Sequence, residues 1–157
     1  MAEMRLQAIG RVRADDAKGY YALEVDEAYR EGLFALGEFG RVNTLWWADR
    51  MDTPEFRRTL SCELPYAPGV RAGVFACRSE YRPNPVALTS CGIVSIDAEK
   101  GFVVLDYIDA IDGTPLLDIK PYIPVCDRAR DVRVAPWFRT WPECIEDSAA
   151  FFANYQF

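Results

Sequence analysis

Two short stretches gather most of the residues that could do chemistry. One holds Arg78, Arg82 and Asn84, the last set between Pro83 and Pro85; the other runs through Asp109, Asp112, Asp118, Lys120 and Tyr122, with Gly113, Pro115 and Pro121 among them. Proline fixes φ and has no amide donor, so both stretches read as loops or strand ends that carry charged side chains on stiff backbone. The guanidinium forks of Arg78 and Arg82 suit bidentate contact with a carboxylate or other anion. Asn84 offers both a donor and an acceptor with little rotation to lose. Lys120 and Tyr122 are two apart and share one face of an extended segment. Either stretch alone is matched by a pair of Pro-Gly turns with solvated charges; two of them in one small chain read as a site.

The 157 residues include no histidine. Ser-His-Asp, Cys-His and His-ligated metal mechanisms are therefore excluded, and any general base must be Asp, Glu, Tyr, Lys or Cys. The five cysteines, at 62, 77, 91, 126 and 144, are odd in number and form no Cys-x-x-Cys pair, so neither a zinc site nor a disulfide framework is expected. Free thiols that pack as small hydrophobes are the expected state. Cys77 stands out because Arg78 follows it, and a neighbouring cation lowers a thiol pKa.

The two stretches extend into longer phrases, Gly73-Val74-Phe75-Ala76-Cys77-Arg78-Ser79-Glu80-Tyr81-Arg82-Pro83-Asn84-Pro85-Val86-Ala87-Leu88-Thr89 and Asp109 to Pro124. They resemble the hallmark phrases of the TrmO (TsaA-like) methyltransferases, in which Arg-Pro-Asn-Pro is followed by Asp-Gly-Thr-Pro and Leu-Asp-Ile-Lys-Pro-Tyr. Weaker echoes run from Ile9-Gly10-Arg11-Val12 through the segment from Tyr29 to Phe39. The resemblance implies a small β-barrel that binds S-adenosyl-L-methionine (SAM) and dimerises with SAM near the interface. It implies cofactor contacts from Phe75, Ala76, Cys77, Arg78, Ser79, Arg82, Asn84, Leu116, Asp118 and Lys120. Asn84, Asp112, Lys120 and Tyr122 are the residues it suggests for the transfer itself, with Asp112 and Asp118 suited to the SAM ammonium or ribose. The best-known family activity is methylation of threonylcarbamoyl-adenosine in the tRNA anticodon loop. This chain departs from the family in three ways: Phe39-Gly40-Arg41 stands where a Phe-Ser-His pattern is common, the amino-terminal Pro-Arg-Gln-Pro phrase is missing, and no appended carboxy-terminal domain is expected.

A formal charge of −6, from 18 basic and 24 acidic residues, is the wrong sign for gripping a polyanion. It places a small-molecule heteroatom acceptor first, tRNA second and a non-catalytic SAM module third. Arg128, Arg130, Arg133 and Arg139 offer only a local basic patch. No run approaches the roughly 20 apolar residues of a membrane span, and a soluble cytoplasmic protein is expected.

The positioning elements follow from pattern. Half the residues are hydrophobic, enough for one core, so 1–157 is expected to be a single domain. Strands are expected at 6–12, 21–25, 42–48, 69–76, 86–96 and 102–108, the last two joined by a hairpin turn at 97–101. Trp46 and Trp47 fall on opposite faces of one strand. Asp26 is an N-cap candidate for a short helix to Leu36, and 49–68 is a long excursion over the site. The tail, 136–157, is expected to pack on the barrel as an amphipathic helix broken near Pro142. The absence of Gly-x-Gly-x-x-Gly argues against a Rossmann-type cofactor site. The pattern gives a mainly β class with short helices (α+β), and the resemblance implies that it closes as a small, mostly antiparallel β-barrel.

Overall fold

The computed structural model describes residues 5–153 and 155. Eight strands are assigned among them: β1 (Gly10–Asp15), β2 (Tyr20–Val25), β3 (Arg41–Trp47), β4 (Ser61–Glu63), β5 (Arg71–Gly73), β6 (Val86–Asp97), β7 (Phe102–Leu105) and β8 (Pro115–Pro121). Six close into a barrel in the order β1-β2-β7-β6-β3-β8, and every neighbouring pair is antiparallel. Closure removes the sheet edges that a mainly β chain of this size would otherwise expose. The expected antiparallel barrel is the observed fold.

Alternation drives the barrel. Along β3, Val42, Thr44 and Trp46 are buried while Arg41, Asn43, Leu45 and Trp47 face outward. The inward set packs with Val12, Leu23, Val25, Cys91, Val103, Leu105, Ile108 and Leu116 in one core. Each such side chain taken out of water contributes about 1.5–3 kcal/mol. Thr44, fully buried, donates its hydroxyl to the Thr89 carbonyl at 2.9 Å. Burial pushes the Cys91 thiol up to about 11, so it behaves as a core hydrophobe. Gly10 lies so close to the Glu24 carbonyl that a Cβ there would collide with backbone, so glycine permits the close approach of β1 to β2 where Gly10 pairs with Val25.

Several expected elements differ in extent. The first strand begins at Gly10, and 5–9 run irregularly before it. The expected helix after Asp26 is a 3₁₀ segment, Glu27–Leu33, followed by a second at Leu36–Glu38; Asp26 makes no side-chain cap bond and Ala35 turns left-handed at φ 61° between them. The 69–76 strand shrinks to β5, which pairs with β4 outside the barrel. The second phrase, expected as loops or strand ends, contains barrel strand β8 between β1 and β3, with Pro115 and Pro121 at its two ends, where a missing amide is tolerated.

The tail is not one helix. Short turns at Pro136–Phe138 and Ile145–Asp147 precede α2 (Ser148–Phe152), the α1 turn being Pro124–Asp127. Trp141 gathers Tyr66, Phe138, Phe151, Phe152 and Tyr155, and the Tyr155 hydroxyl donates to the Tyr66 carbonyl at 2.7 Å. The tail therefore covers a second small core of Leu64, Ala67 and Ala72 rather than the main barrel. Its ion pair from Glu146 to Arg41, at 3.5 Å, reaches the barrel itself.

Candidate functional site

Where β3 ends, two neighbouring tryptophans point to opposite sides and each enters a different cleft. Trp46, inward and 4% exposed, borders a cleft of about 320 Å³. Its wall comes from the first phrase through Glu80, from the second through Asp109, Ile111 and Thr114, and from the turn after β3 through Asp49, Arg50 and Met51. Asp16, Asp49, Glu80 and Asp109 make this cleft acidic, with Arg50 the cation in its lining. Burial, and secondarily Asp109, raises the Glu80 carboxyl above its ordinary range. Tyr107, also in the wall, is pushed up to about 12 by burial and by Asp109, so its hydroxyl stays protonated and donates to Asp109 at 3.4 Å.

Trp47 faces the second cleft, about 370 Å³, lined by Leu6, Ala8, Arg57, Asn84, Pro115 and Leu117. The Arg57 guanidinium stacks over the indole at 5.4 Å and donates to the Pro83 carbonyl at 3.3 Å. Asp52 accepts from Trp47 Nε1 at 3.0 Å and from Arg57 Nε, and these contacts, Arg57 first, hold its carboxyl below the usual range. The excursion expected over the site thus supplies both clefts: 49–51 to the acidic one and Arg57 to the aromatic one.

The residues expected in the site are spread around the barrel. Asn84 lies exposed in the aromatic cleft. Arg82 closes the first phrase on itself: Nη2 donates to the Val74 carbonyl and, at 2.8 Å, to that of Cys77, while Nε is buried and partnerless among the described residues. It braces the loop, with Nη2 engaged by these two carbonyls. Phe75 is 85% exposed on the turn Val74–Ala76, with Ala76 and Arg78 also exposed. The Ser79 hydroxyl accepts the Tyr81 amide at 3.2 Å, and half-buried Cys77 meets Cys62.

In the second phrase, Gly113 (φ 83°) lets the chain turn into β8, and Asp112 accepts the Ala14 amide at 3.1 Å beside Arg13. Asp112 therefore ties the turn to β1 and lines neither cleft. Leu116 is 0% exposed in the barrel core, so only its backbone is available, and its carbonyl accepts the Ile9 amide at 2.8 Å. Asp118 and Lys120 form a 2.7 Å ion pair on the outside of β8. Lys120 sits opposite Asn43, four residues back along β3 from Trp47, or roughly 13 Å at strand rise. Tyr122 is half-buried and bonds through its amide to the Arg41 carbonyl at 2.9 Å. Asn84, Asp112, Lys120 and Tyr122 thus do not converge within one chain. Sequence reasoning missed Asp16, Asp49, Glu80 and Tyr107 as site walls; Glu80 was legible inside the first phrase, whereas the others have no local pattern. Among the described residues, no group of three or more Cys, Asp or Glu side chains could hold a metal ion.

A six-stranded antiparallel barrel whose two phrases meet at the end of β3 defines a class, and the comparisons name it. Residues 11–128 match the tRNA-methyltransferase O N-terminal domain, and the chain belongs to that family. It is 34% identical over 151 residues to a probable S-adenosyl-L-methionine-binding protein of Pyrococcus abyssi, covering 92% of this chain and 76% of that one. It is 44% identical over 102 residues to the mouse tRNA (adenine(37)-N6)-methyltransferase, covering 65% of this chain and 23% of the enzyme. The crystal structure of TrmO from Pseudomonas aeruginosa is similar with a TM-score of 0.63 and 26% identity, covering 86% of this chain and 63% of that one. The chain therefore spans less than two thirds of the TrmO chain and about a quarter of the mouse enzyme. Among the described residues, no helix is long and apolar enough to cross a membrane.

Proposed function

We propose that this chain is a SAM-dependent methyltransferase domain that acts on an adenine nitrogen of tRNA, at threonylcarbamoyl-adenosine in the anticodon loop. The observation that carries this reading is the family match across 11–128, which spans both phrases and all six barrel strands. The small-molecule acceptor placed first on charge gives way to tRNA, because the matching family and the mouse relative are both tRNA methyltransferases. Net charge describes the whole surface, whereas a nucleic acid meets one face of it. Arg128, Arg130 and Arg133 are exposed together on the segment after α1 and could supply such a face.

The acidic cleft fits SAM on its chemistry and size. Asp49, Glu80 and Asp109 suit the ammonium and sulfonium cations, Arg50 suits the carboxylate, and Trp46, Met51 and Ile108 offer an apolar wall for the adenine. The volume lies in the ~300–1,000 Å³ range of small-molecule sites. SAM supplies an electrophilic methyl on its sulfonium; the chain supplies alignment, a dry wall and a place for the amine proton. Glu80 is the candidate base, since its raised pKa makes its carboxylate Oε the better proton acceptor near neutral pH. Asn84, between two prolines beside Trp47, would orient the acceptor from the aromatic cleft. A homodimer with SAM near the interface belongs to the same reading: Leu88, 43% exposed on the outer face beside Leu45, is apolar surface that a second copy would cover.

The test is incubation of the protein with methyl-labelled SAM and undermethylated tRNA, then mass spectrometry of the nucleosides and of a small-molecule extract treated in parallel. Label on threonylcarbamoyl-adenosine is expected. Label only in the small-molecule pool would overturn the acceptor, and no SAM binding by calorimetry would overturn the whole reading. Light scattering at the 17.8 kDa of a single chain would remove the dimer.

A further inference from the structure

Cys62 on β4 and Cys77 after the 74–76 turn lie far apart in sequence, yet their sulfurs are 3.7 Å apart. It is the one thiol–thiol contact among the described residues, and both side chains are half-buried against the small core of Leu64, Ala67 and Ala72. We propose that Cys62 and Cys77 are a peroxide-oxidisable dithiol that closes to an internal disulfide and locks the first phrase onto β4.

The surroundings favour this pair over the other thiols. Cys91 is buried in the barrel with its thiol pushed up to about 11, so it is inert. Cys126 and Cys144 are exposed but make no thiol contact among the described residues. Burial first, and then Cys77, hold the Cys62 thiol above its ordinary value, with the Ser79 hydroxyl and the Arg71 charge offsetting part of that rise, so Cys62 is the resolving partner and half-buried Cys77 the thiol that meets peroxide. A disulfide needs sulfurs about 2.05 Å apart, so closure requires an approach of roughly 1.7 Å, within reach of side-chain rotation.

The step balances with peroxide as oxidant. The Cys77 thiol attacks one peroxide oxygen, the O–O bond breaks, and Cys77 sulfenic acid and water result. The Cys62 thiol then attacks the sulfenic sulfur, the S–O bond breaks, and the disulfide and a second water form; two electrons pass from the thiols to the peroxide. The lock has structural reach because the Cys77 carbonyl accepts from Arg82, the brace that shapes 74–82, and Glu80 lies within that loop.

The test uses the full chain and hydrogen peroxide. Tryptic cleavage after Arg58, Arg71 and Arg78 places Cys62 in 59–71 and Cys77 in 72–78. The expected result is these two peptides linked, two hydrogens lighter than their sum, with Cys91 still free, and reversal by dithiothreitol. Amide exchange across 74–82 should slow at least tenfold in the oxidised protein. In Cys62→Ser, verified as folded by its melting curve, both effects should vanish while Cys77 accumulates as sulfenic acid trapped by dimedone. Absence of the linked peptide in folded wild-type protein, or a linked peptide with unchanged exchange at 74–82, would overturn the proposal. Neither readout involves SAM, so the result stands apart from the proposed function.

Discussion

The two clefts at the end of β3 are built from the same strand and the same two phrases, yet their chemistry is opposite. The acidic one takes Trp46, the carboxylates of Asp16, Asp49, Glu80 and Asp109, and the single cation Arg50. The aromatic one takes Trp47, Arg57 and Asn84 over Leu6, Pro115 and Leu117, with its nearest carboxylate, Asp52, already paired to Arg57. A one-residue step along a pleated strand reverses the face, so adjacent indoles serve unlike environments. In the proposed reading, a cationic cofactor and a neutral, stacking acceptor sit side by side without sharing a pocket: carboxylates on one side, an aromatic ring and an amide on the other.

The largest effect expected from breaking this arrangement comes from the core beneath both clefts. Leu116→Ala should cost about 2–5 kcal/mol in urea unfolding, because Leu116 is 0% exposed between the clefts' shared strands. If it left stability intact and weakened only SAM binding, Leu116 would be a cofactor contact after all. Next, Arg82→Met should cost about 1–3 kcal/mol by leaving the Val74 and Cys77 carbonyls without their donor, with amide exchange rising first at 74–82.

Substitutions in the clefts themselves should separate binding from transfer. Asp49→Asn together with Glu80→Gln should weaken SAM binding at least tenfold, about 1.4 kcal/mol, as read by calorimetry. Asn84→Ala should lower methyl transfer by a similar factor with SAM affinity unchanged. Equal losses of SAM affinity from both clefts would erase the division of labour proposed for them.

The clefts should also differ in pH response. Glu80 has a raised carboxyl pKa, so its stability contribution is full below the ordinary Glu range and is lost as pH rises through the folded value. Glu80→Gln should therefore melt higher than wild type at pH 7 and not at pH 4. Asp52 has a lowered pKa, so its contribution is present above the ordinary Asp range and is lost on acidification. Asp52→Asn should flatten the acid limb of the melting profile and leave its neutral limb a little lower. The smallest effect is expected from Lys120→Ala: an exposed ion pair with Asp118 contributes little, and no change in melting temperature should be measurable.

Much of the barrel was legible before any coordinates, and for a physical reason. Period-two alternation in 42–48 and the turn at Gly101 report on short-range geometry that tertiary context rarely overrides. The second phrase was harder: its prolines argued for loops or strand ends, and Pro115 and Pro121 do mark the ends of β8, but the strand between them, free to pair on both sides, had no pattern of its own. The tail was misread because Trp141 and its aromatic neighbours satisfy each other across short turns, which no helical period encodes.

The sequence by itself determined the residues of the two phrases and the mainly β pattern, which depend on identity and local spacing, and through the resemblance of those phrases the family and its barrel. Only the tertiary structure decided that Arg82 braces its own loop, that Leu116 belongs to the core, that Asp16, Asp49, Glu80 and Asp109 share one cleft, and that Cys62 meets Cys77. Barrel closure, which brings β8 between β1 and β3, decides the place of Leu116 and the shared cleft, while the separate pairing of β4 with β5 folds 61–82 back on itself and sets the Arg82 and Cys62–Cys77 contacts. These pairings are tertiary, and side-chain identity along the sequence does not encode them.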